Sequence, residues 1–275
     1  MTARPPILAE ETTAWAGGEP MPAAPDAWYF PAAGHEEAVA RMLYLVEHYR
    51  PGGLLTGESG VGKSMLLRAV AAECEELRRT VVPVDLTAAS ADDVLRRALL
   101  GCGLVSNDGE SSVEVERRLT GYLRGCQLSE RPVVVLADHA DRAAVGAAEG
   151  LERLMRLTDA RLGGVTLILA STTGVPVAMS SVAARWCELK ISVPGVTRDE
   201  LPGYLAGAVE DAGSGVEFDD AAADRLHAVS NGVPRLIDRA ARLAVLSAYA
   251  DGLPAVAAST IDGVLAEMPV TPAAA

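Results

Sequence analysis

The octapeptide Gly57-Glu-Ser-Gly-Val-Gly62-Lys63-Ser64 limits what this chain can fold into more than any other feature. It fits G-x-x-x-x-G-K-[ST] at every position. A short apolar run, Gly52 to Thr56, leads into it, and a helical pattern from Lys63 to Leu77 follows. A strand, a glycine-rich turn and a helix N-terminus in that order make a cradle for phosphate. The expected contacts run from Gly57 through Glu58, Ser59, Gly60, Val61, Gly62, Lys63 and Ser64 to Met65. Lys63 is expected on the β- and γ-phosphates of a nucleotide, and the Ser64 hydroxyl on Mg²⁺. Lys63 is one of only two lysines, the other being Lys190. At this chain's own residue frequencies, a chance match would arise roughly twice in a thousand such chains.

Around that loop, strand and helix signals alternate. Strand signals fall at 52–56, 81–85, 132–137, 165–170 and 189–193. Helical spacing marks 35–49, 63–77, 113–124 and 148–157, and Ser90 with Asp93 reads as the N-cap of a helix ending near Cys102. Strands this continuously apolar are buried on both faces. The expected fold is α/β, a five-stranded parallel sheet covered by helices on both faces. After Pro194 the pattern turns purely helical, at 198–211, 219–229, 233–249 and 258–267. Thr197 and Glu200 have capping-box spacing, and Gly213, Gly232 and Gly252 stand at the breaks. The expected organisation is an arm over 1–26, a core over 27–195, a smaller all-α lid over 196–268 and a tail over 269–275.

The strand Val133-Val-Val-Leu-Ala137 ends at Asp138, the form of a Walker B strand. A carboxylate there stands at the sheet edge beside the phosphate loop and can share Mg²⁺ with Ser64. ATPases of this kind carry a glutamate at the next position to orient the attacking water. Here the residue is His139, which can accept a proton but brings no negative charge. Asp141 is the alternative carboxylate.

Further motifs lie outside the loop. Trp28-Tyr-Phe-Pro31 is followed by Gly34-His-Glu-Glu-Ala38, the loop is preceded by Gly53-Leu-Leu-Thr-Gly57, and Gly232-Val-Pro-Arg235 lies in the helical part. With these in order, the chain from Ala27 to Glu267 resembles the AAA+ ATPases of the ExeA (general secretion pathway A) type. Transposon target-selection and origin-recognition ATPases are relatives of that group. The resemblance implies ATP and Mg²⁺ as ligands and places the aromatic–proline segment against the nucleotide base. It implies that Ser171 or Thr172 senses the γ-phosphate from the end of its strand. Arg235 would reach the same phosphate from the lid, and Arg185 would be a finger acting on a neighbouring subunit. The secretion-type relatives continue into a transmembrane segment, whereas this sequence does not, so a secretion role is not expected.

Composition narrows the functions. With 49% hydrophobic and 22% charged residues, the chain is not disordered. The formal net charge of −13 disfavours a general polyanion-binding surface. From residue 196 onward there are 5 basic and 12 acidic residues. The four cysteines, Cys74, Cys102, Cys126 and Cys187, are scattered, which argues against a zinc or disulfide framework and suits a reducing cytoplasm. The uncharged run 162–184 is broken by Ser, Thr, Gly and Pro, and reads as strand, turn and helix rather than a membrane span. The expected activity is ATP hydrolysis coupled to lid movement or to assembly with a protein partner. The alternatives are a nucleotide-gated binding module with little turnover and a DNA-associated ATPase.

Overall fold

A computed structural model describes residues 30–268, apart from 108, 159–163, 173 and 212–214. Its centre is a five-stranded parallel sheet. The strands are β1 (Gly52–Thr56), β2 (Thr80–Asp85), β3 (Val133–Asp138), β4 (Val165–Ser171) and β5 (Leu189–Ser192), in the order β2-β3-β4-β1-β5. The helices of this part are α1 (Ala33–Glu47), α2 (Lys63–Glu76), α3 (Ala91–Gly101), α4 (Ser112–Leu128), α5 (Ala147–Arg156) and α6 (Ser180–Trp186).

Alternation along the central strands explains why both faces are covered. Val133, Val135 and Ala137 of β3, with Leu167 and Leu169 of β4, pack into one apolar cluster with residues of α3 to α6. Val134, Leu136, Ile168 and Ala170 point the other way, into a cluster built with α1 and α2. A leucine fully withdrawn from water contributes roughly 1.5–3 kcal/mol, so strands buried on both sides hold the sheet far more firmly than one-sided ones. Helix ends follow their sequence signals. The Ser90 hydroxyl accepts from the Asp93 amide, and the Asp93 carboxylate accepts from the Ser90 amide, which is a complete capping box on α3.

The helical remainder comprises α7 (Leu201–Asp211), α8 (Asp220–Ser230), α9 (Pro234–Ala250) and α10 (Ala258–Glu267). Its third cluster includes Leu201, Leu226, Ile237, Ala244 and Ile261. The expectation of helices alone is corrected here. Glu217–Phe218 and Ala255–Val256 form a two-stranded parallel ladder, β6 and β7, too short to leave a periodic signal. The arm over 1–26, Gly213 and the tail over 269–275 lie outside the described residues. Of the four cysteines only Cys74 is fully buried, and that burial pushes its thiol up to about 12. Among the described residues, no helix is long and apolar enough to cross a membrane.

A close backbone contact packs the segment that follows β5 onto the turn between α8 and α9. The Val196 amide donates to the Gly232 carbonyl at 2.8 Å. Gly232 has φ 73°, and a Cβ placed there would lie 2.1 Å from the Val196 oxygen. Gly252 has a similar φ of 68° but open space around it. Gly232→Ala is therefore expected to lose the backbone term of about 1–3 kcal/mol and a steric term besides. Urea unfolding of Gly232→Ala and Gly252→Ala should show the larger loss at 232, and the reverse order would refute this account of the junction.

Candidate nucleotide-binding site

The phosphate loop lies between β1 and α2, at the C-terminal edge of the sheet, where β3 and β4 also end. Lys63 is half-buried beneath it, and its ammonium donates to the carbonyls of Gly57 at 2.8 Å and Glu58 at 2.9 Å. Burial lowers its pKa, against the upward pull of Asp138 and Asp141. The positive charges of Arg235 and Arg142 also push it down. Lys63 thus feels the charge of a cation from the helical part and of one that follows β3, a grouping that suits a polyanion. Arg142 was not singled out in the sequence; it ends a 3-10 turn, Ala140–Arg142, directly after Asp141.

Asp138 ends β3 almost fully buried, at 2% exposure. The Ser64 hydroxyl donates to its Oδ2 at 2.5 Å, and the His139 amide donates to its Oδ1 at 2.7 Å. A buried carboxylate and a hydroxyl in direct contact are a donor pair of the hard-oxygen type that Mg²⁺ takes, so Ser64 and Asp138 fit that ion. The structure thus brings together Lys63, Ser64 and Asp138.

His139 adopts a left-handed backbone, φ 57° and ψ 41°. For a non-glycine residue that costs roughly 1–2 kcal/mol, and such positions concentrate at functional sites. Its Nδ1 lies 3.1 Å from Asp85 Oδ1, at the end of β2. That hydrogen bond raises the imidazole pKa, burial opposes the rise, and the charges of Asp138 and Asp85 add to it. Burial also works against ionisation of Asp85, yet the bonds from His139 and Thr87 bring that carboxylate down to about 2. Asp85 went unnoticed in the sequence because nothing local marks the end of a neighbouring strand as close in space.

Asp141 is committed elsewhere. Its Oδ1 accepts from the Thr172 amide at 2.9 Å and its Oδ2 from the Thr172 hydroxyl at 2.6 Å. Ser171 is fully buried, and its hydroxyl has no partner among the described residues. Of the two residues at the end of β4, Thr172 is therefore the one closer to solvent. Arg235 opens α9 against the phosphate loop. Its amide donates to the Gly60 carbonyl at 3.3 Å, and a Cβ on Gly60 would come within 2.8 Å of the Arg235 Cβ. Arg185 is exposed on α6, its guanidinium 5.7 Å from the centre of the Trp186 ring.

The described part of the segment before α1 packs on the helices. Trp28 and Tyr29 lie outside the described residues. Phe30 packs edge-on against Tyr204 of α7, with ring centres 5.4 Å apart, and Ala32 joins the same helical cluster. The Glu200 side chain, besides capping at Thr197, accepts from the Ala33 amide at 2.8 Å. This strap is thus held by the helical part rather than by the sheet.

A sheet of this order with a phosphate loop after β1 and an acidic end to β3 defines a P-loop nucleotide-binding fold of the AAA+ type. Residues 46–177 match the AAA domain family. The AAA+ ATPase ClpV1 of Pseudomonas aeruginosa is 30% identical over 146 residues, which is 52% of this chain and 15% of that protein. The chain therefore spans a small part of that relative's length. Cdc6p from Pyrobaculum aerophilum superposes with a TM-score of 0.68 at 15% identity, covering 88% of this chain and 69% of that one. The Aeropyrum pernix ORC2 protein, solved as ADPNP–ADP complexes, gives 0.63 at 14% identity, over 92% and 72%. Residues 46–177 are thus similar to an AAA domain, and the fold is that of the AAA+ P-loop ATPases.

His35, the histidine of the Gly34–Ala38 motif, packs beside the phosphate loop. It is 2% exposed, both ring nitrogens lack a hydrogen-bond partner, and Gly62 of the loop packs beside it. Burial lowers its pKa, outweighing the Val61 and Pro194 backbone and the Glu200 charge, which pull upward. An unfolded histidine titrates near 6.5, above the folded value. As pH falls through 6.5 the unfolded chain takes up the proton first, and stability drops until the folded pKa is passed. Denaturant midpoints of wild type minus His35→Leu, followed from about pH 8 to 5, are expected to fall. A flat difference would contradict this environment for His35.

Proposed function

We propose that this protein binds Mg·ATP in the phosphate loop and hydrolyses it. A core over 27–195 and a lid over 196–268 would change their relative angle as the γ-phosphate comes and goes. The observation that carries this reading is the Lys63–Ser64–Asp138 group at one sheet edge, with Arg235 on the facing helix. Lys63 exchanges the carbonyls of Gly57 and Glu58 for phosphate oxygens. The loop amides and the α2 N-terminus neutralise the remaining charge. Ser64 and Asp138 hold Mg²⁺, which when bound offsets the charge on the β- and γ-phosphates. Arg235 registers the γ-phosphate from the lid, so that loss of that group loosens the lid against Gly60. His139 takes the place of the usual glutamate and orients the attacking water, and Thr172 or Ser171 senses the phosphate from β4. The nucleotide complexes of the ORC2 neighbour support a shared ligand class.

Among AAA+ proteins, the segment from Phe30 to Ala38 and the Gly232-Val-Pro-Arg235 motif support a place near the ExeA type. We infer a protein partner or a second copy of the chain as the recipient of the lid movement, with Arg185 offered across that interface. The acidic lid argues for protein over DNA.

Steady-state phosphate release with nucleotide binding on the same samples tests this. Wild type is expected to turn over. Lys63→Ala removes charged hydrogen bonds worth about 1.5–3 kcal/mol each and should weaken binding by tenfold or more, with turnover falling further. A wild type that binds ATP without releasing phosphate would favour the binding-module alternative, for which the missing carboxylate at position 139 is the supporting observation.

A further inference from the structure

We propose that Asp85 is a positioning residue that fixes the tautomer and orientation of His139, so that Nε2 is the ring's acceptor in the nucleotide site. The proposal rests on the hydrolytic reading above, and assigns a task to a residue outside the phosphate loop and the Asp138 motif.

The strand register creates the need. Asp85 and Asp138 are direct partners in the parallel pairing of β2 with β3, and like charges placed opposite one another repel. The imidazole of His139 lies between them, its Nδ1 3.1 Å from Asp85 Oδ1 and 3.8 Å from Asp138 Oδ2. A glutamate at 139 would set a third carboxylate against both. The histidine and the aspartate are therefore a matched pair, and the departure at 139 is explained by the residue at 85.

The pair is also held still. Asp85 Oδ1 accepts from the Thr87 amide at 2.9 Å and the Thr87 hydroxyl at 2.8 Å. The backbone beyond it is stitched to the His139 turn, with Leu86 donating to the Asp138 carbonyl at 2.9 Å and Ala88 to the Arg142 carbonyl at 2.8 Å. An ionised carboxylate only accepts, so the proton of a neutral His139 must sit on Nδ1. Nε2 then carries the lone pair, and no hydrogen bond to it is made among the described residues. In hydrolysis the water oxygen bonds to the γ-phosphorus, the bond to the bridging oxygen breaks, and the water proton leaves with the phosphate. Nε2 accepts a hydrogen bond from that water and sets its direction, the task the triad aspartate performs for its histidine in hydrolases.

The test uses the whole chain. In nucleotide-free protein at alkaline pH, nitrogen NMR of ¹⁵N-labelled histidine should show His139 protonated at Nδ1, the resonance being identified by its loss in His139→Gln. Asp85→Ala should move that proton to Nε2 and lower kcat by about tenfold or more, with KM and ATP affinity within about twofold. Asp85→Asn, which keeps an acceptor at Oδ1, should recover most of the loss. His139→Glu alone should be less heat-stable and less active than His139→Glu with Asp85→Asn. An unchanged tautomer in Asp85→Ala, or equal behaviour of the single and double glutamate variants, would overturn the proposal. Absence of turnover in wild type would count against hydrolysis, while the tautomer and melting comparisons still decide the role of Asp85.

Discussion

The contact between the Ser64 hydroxyl and the Asp138 carboxylate is the constraint from which the rest of the site follows. A carboxylate at 2% exposure is costly by several kcal/mol unless every lone pair is answered. Here the answers come from two elements, the first turn of α2 through Ser64 and the turn after β3 through the His139 amide. The bond therefore fixes the start of α2 against the end of β3. It also explains why residue 139 sits in a left-handed backbone, since that geometry turns its amide back onto Asp138. A hydroxyl and a carboxylate brought together for structural reasons are at the same time the oxygen pair a hard cation seeks.

The helical part meets the phosphate loop and the start of α1 through single hydrogen bonds. The Arg235 amide meets the Gly60 carbonyl, the Glu200 carboxylate reaches the first amide of α1, and within the helical part Val196 closes on Gly232. None of these is a large apolar interface, and the apolar cluster of the helices is separate from the two that flank the sheet. Of these contacts, the one between Arg235 and Gly60 lies on the phosphate loop itself.

Much of this was legible in the sequence, for identifiable reasons. The phosphate loop, the five strands and the capping boxes at Ser90 and Thr197 are encoded by neighbouring residues, and local signals suffice for them. The 217–218 with 255–256 ladder was not, because two residues have no period. The pairing of Asp85 with His139 was hidden for a different cause. It depends on β2 lying next to β3 in register, a relation across 54 positions that only the assembled sheet supplies. His35 is similar, since a histidine in a helical pattern gives no sign that the fold leaves both its nitrogens without partners. The seat of Phe30 on Gly203 and Tyr204 was likewise beyond local signals, since it depends on α7 lying beside the segment before α1.

The most direct test of the central claim is equilibrium binding of ATP with and without Mg²⁺, to wild type and to Asp138→Asn. If Ser64 and Asp138 hold the cation beside a working phosphate loop, Mg²⁺ should tighten binding by about tenfold or more in wild type. Asp138→Asn should keep the Mg²⁺-free affinity and lose most of that gain. ATP binding that is absent, or a Mg²⁺ effect that survives in Asp138→Asn, would contradict the account.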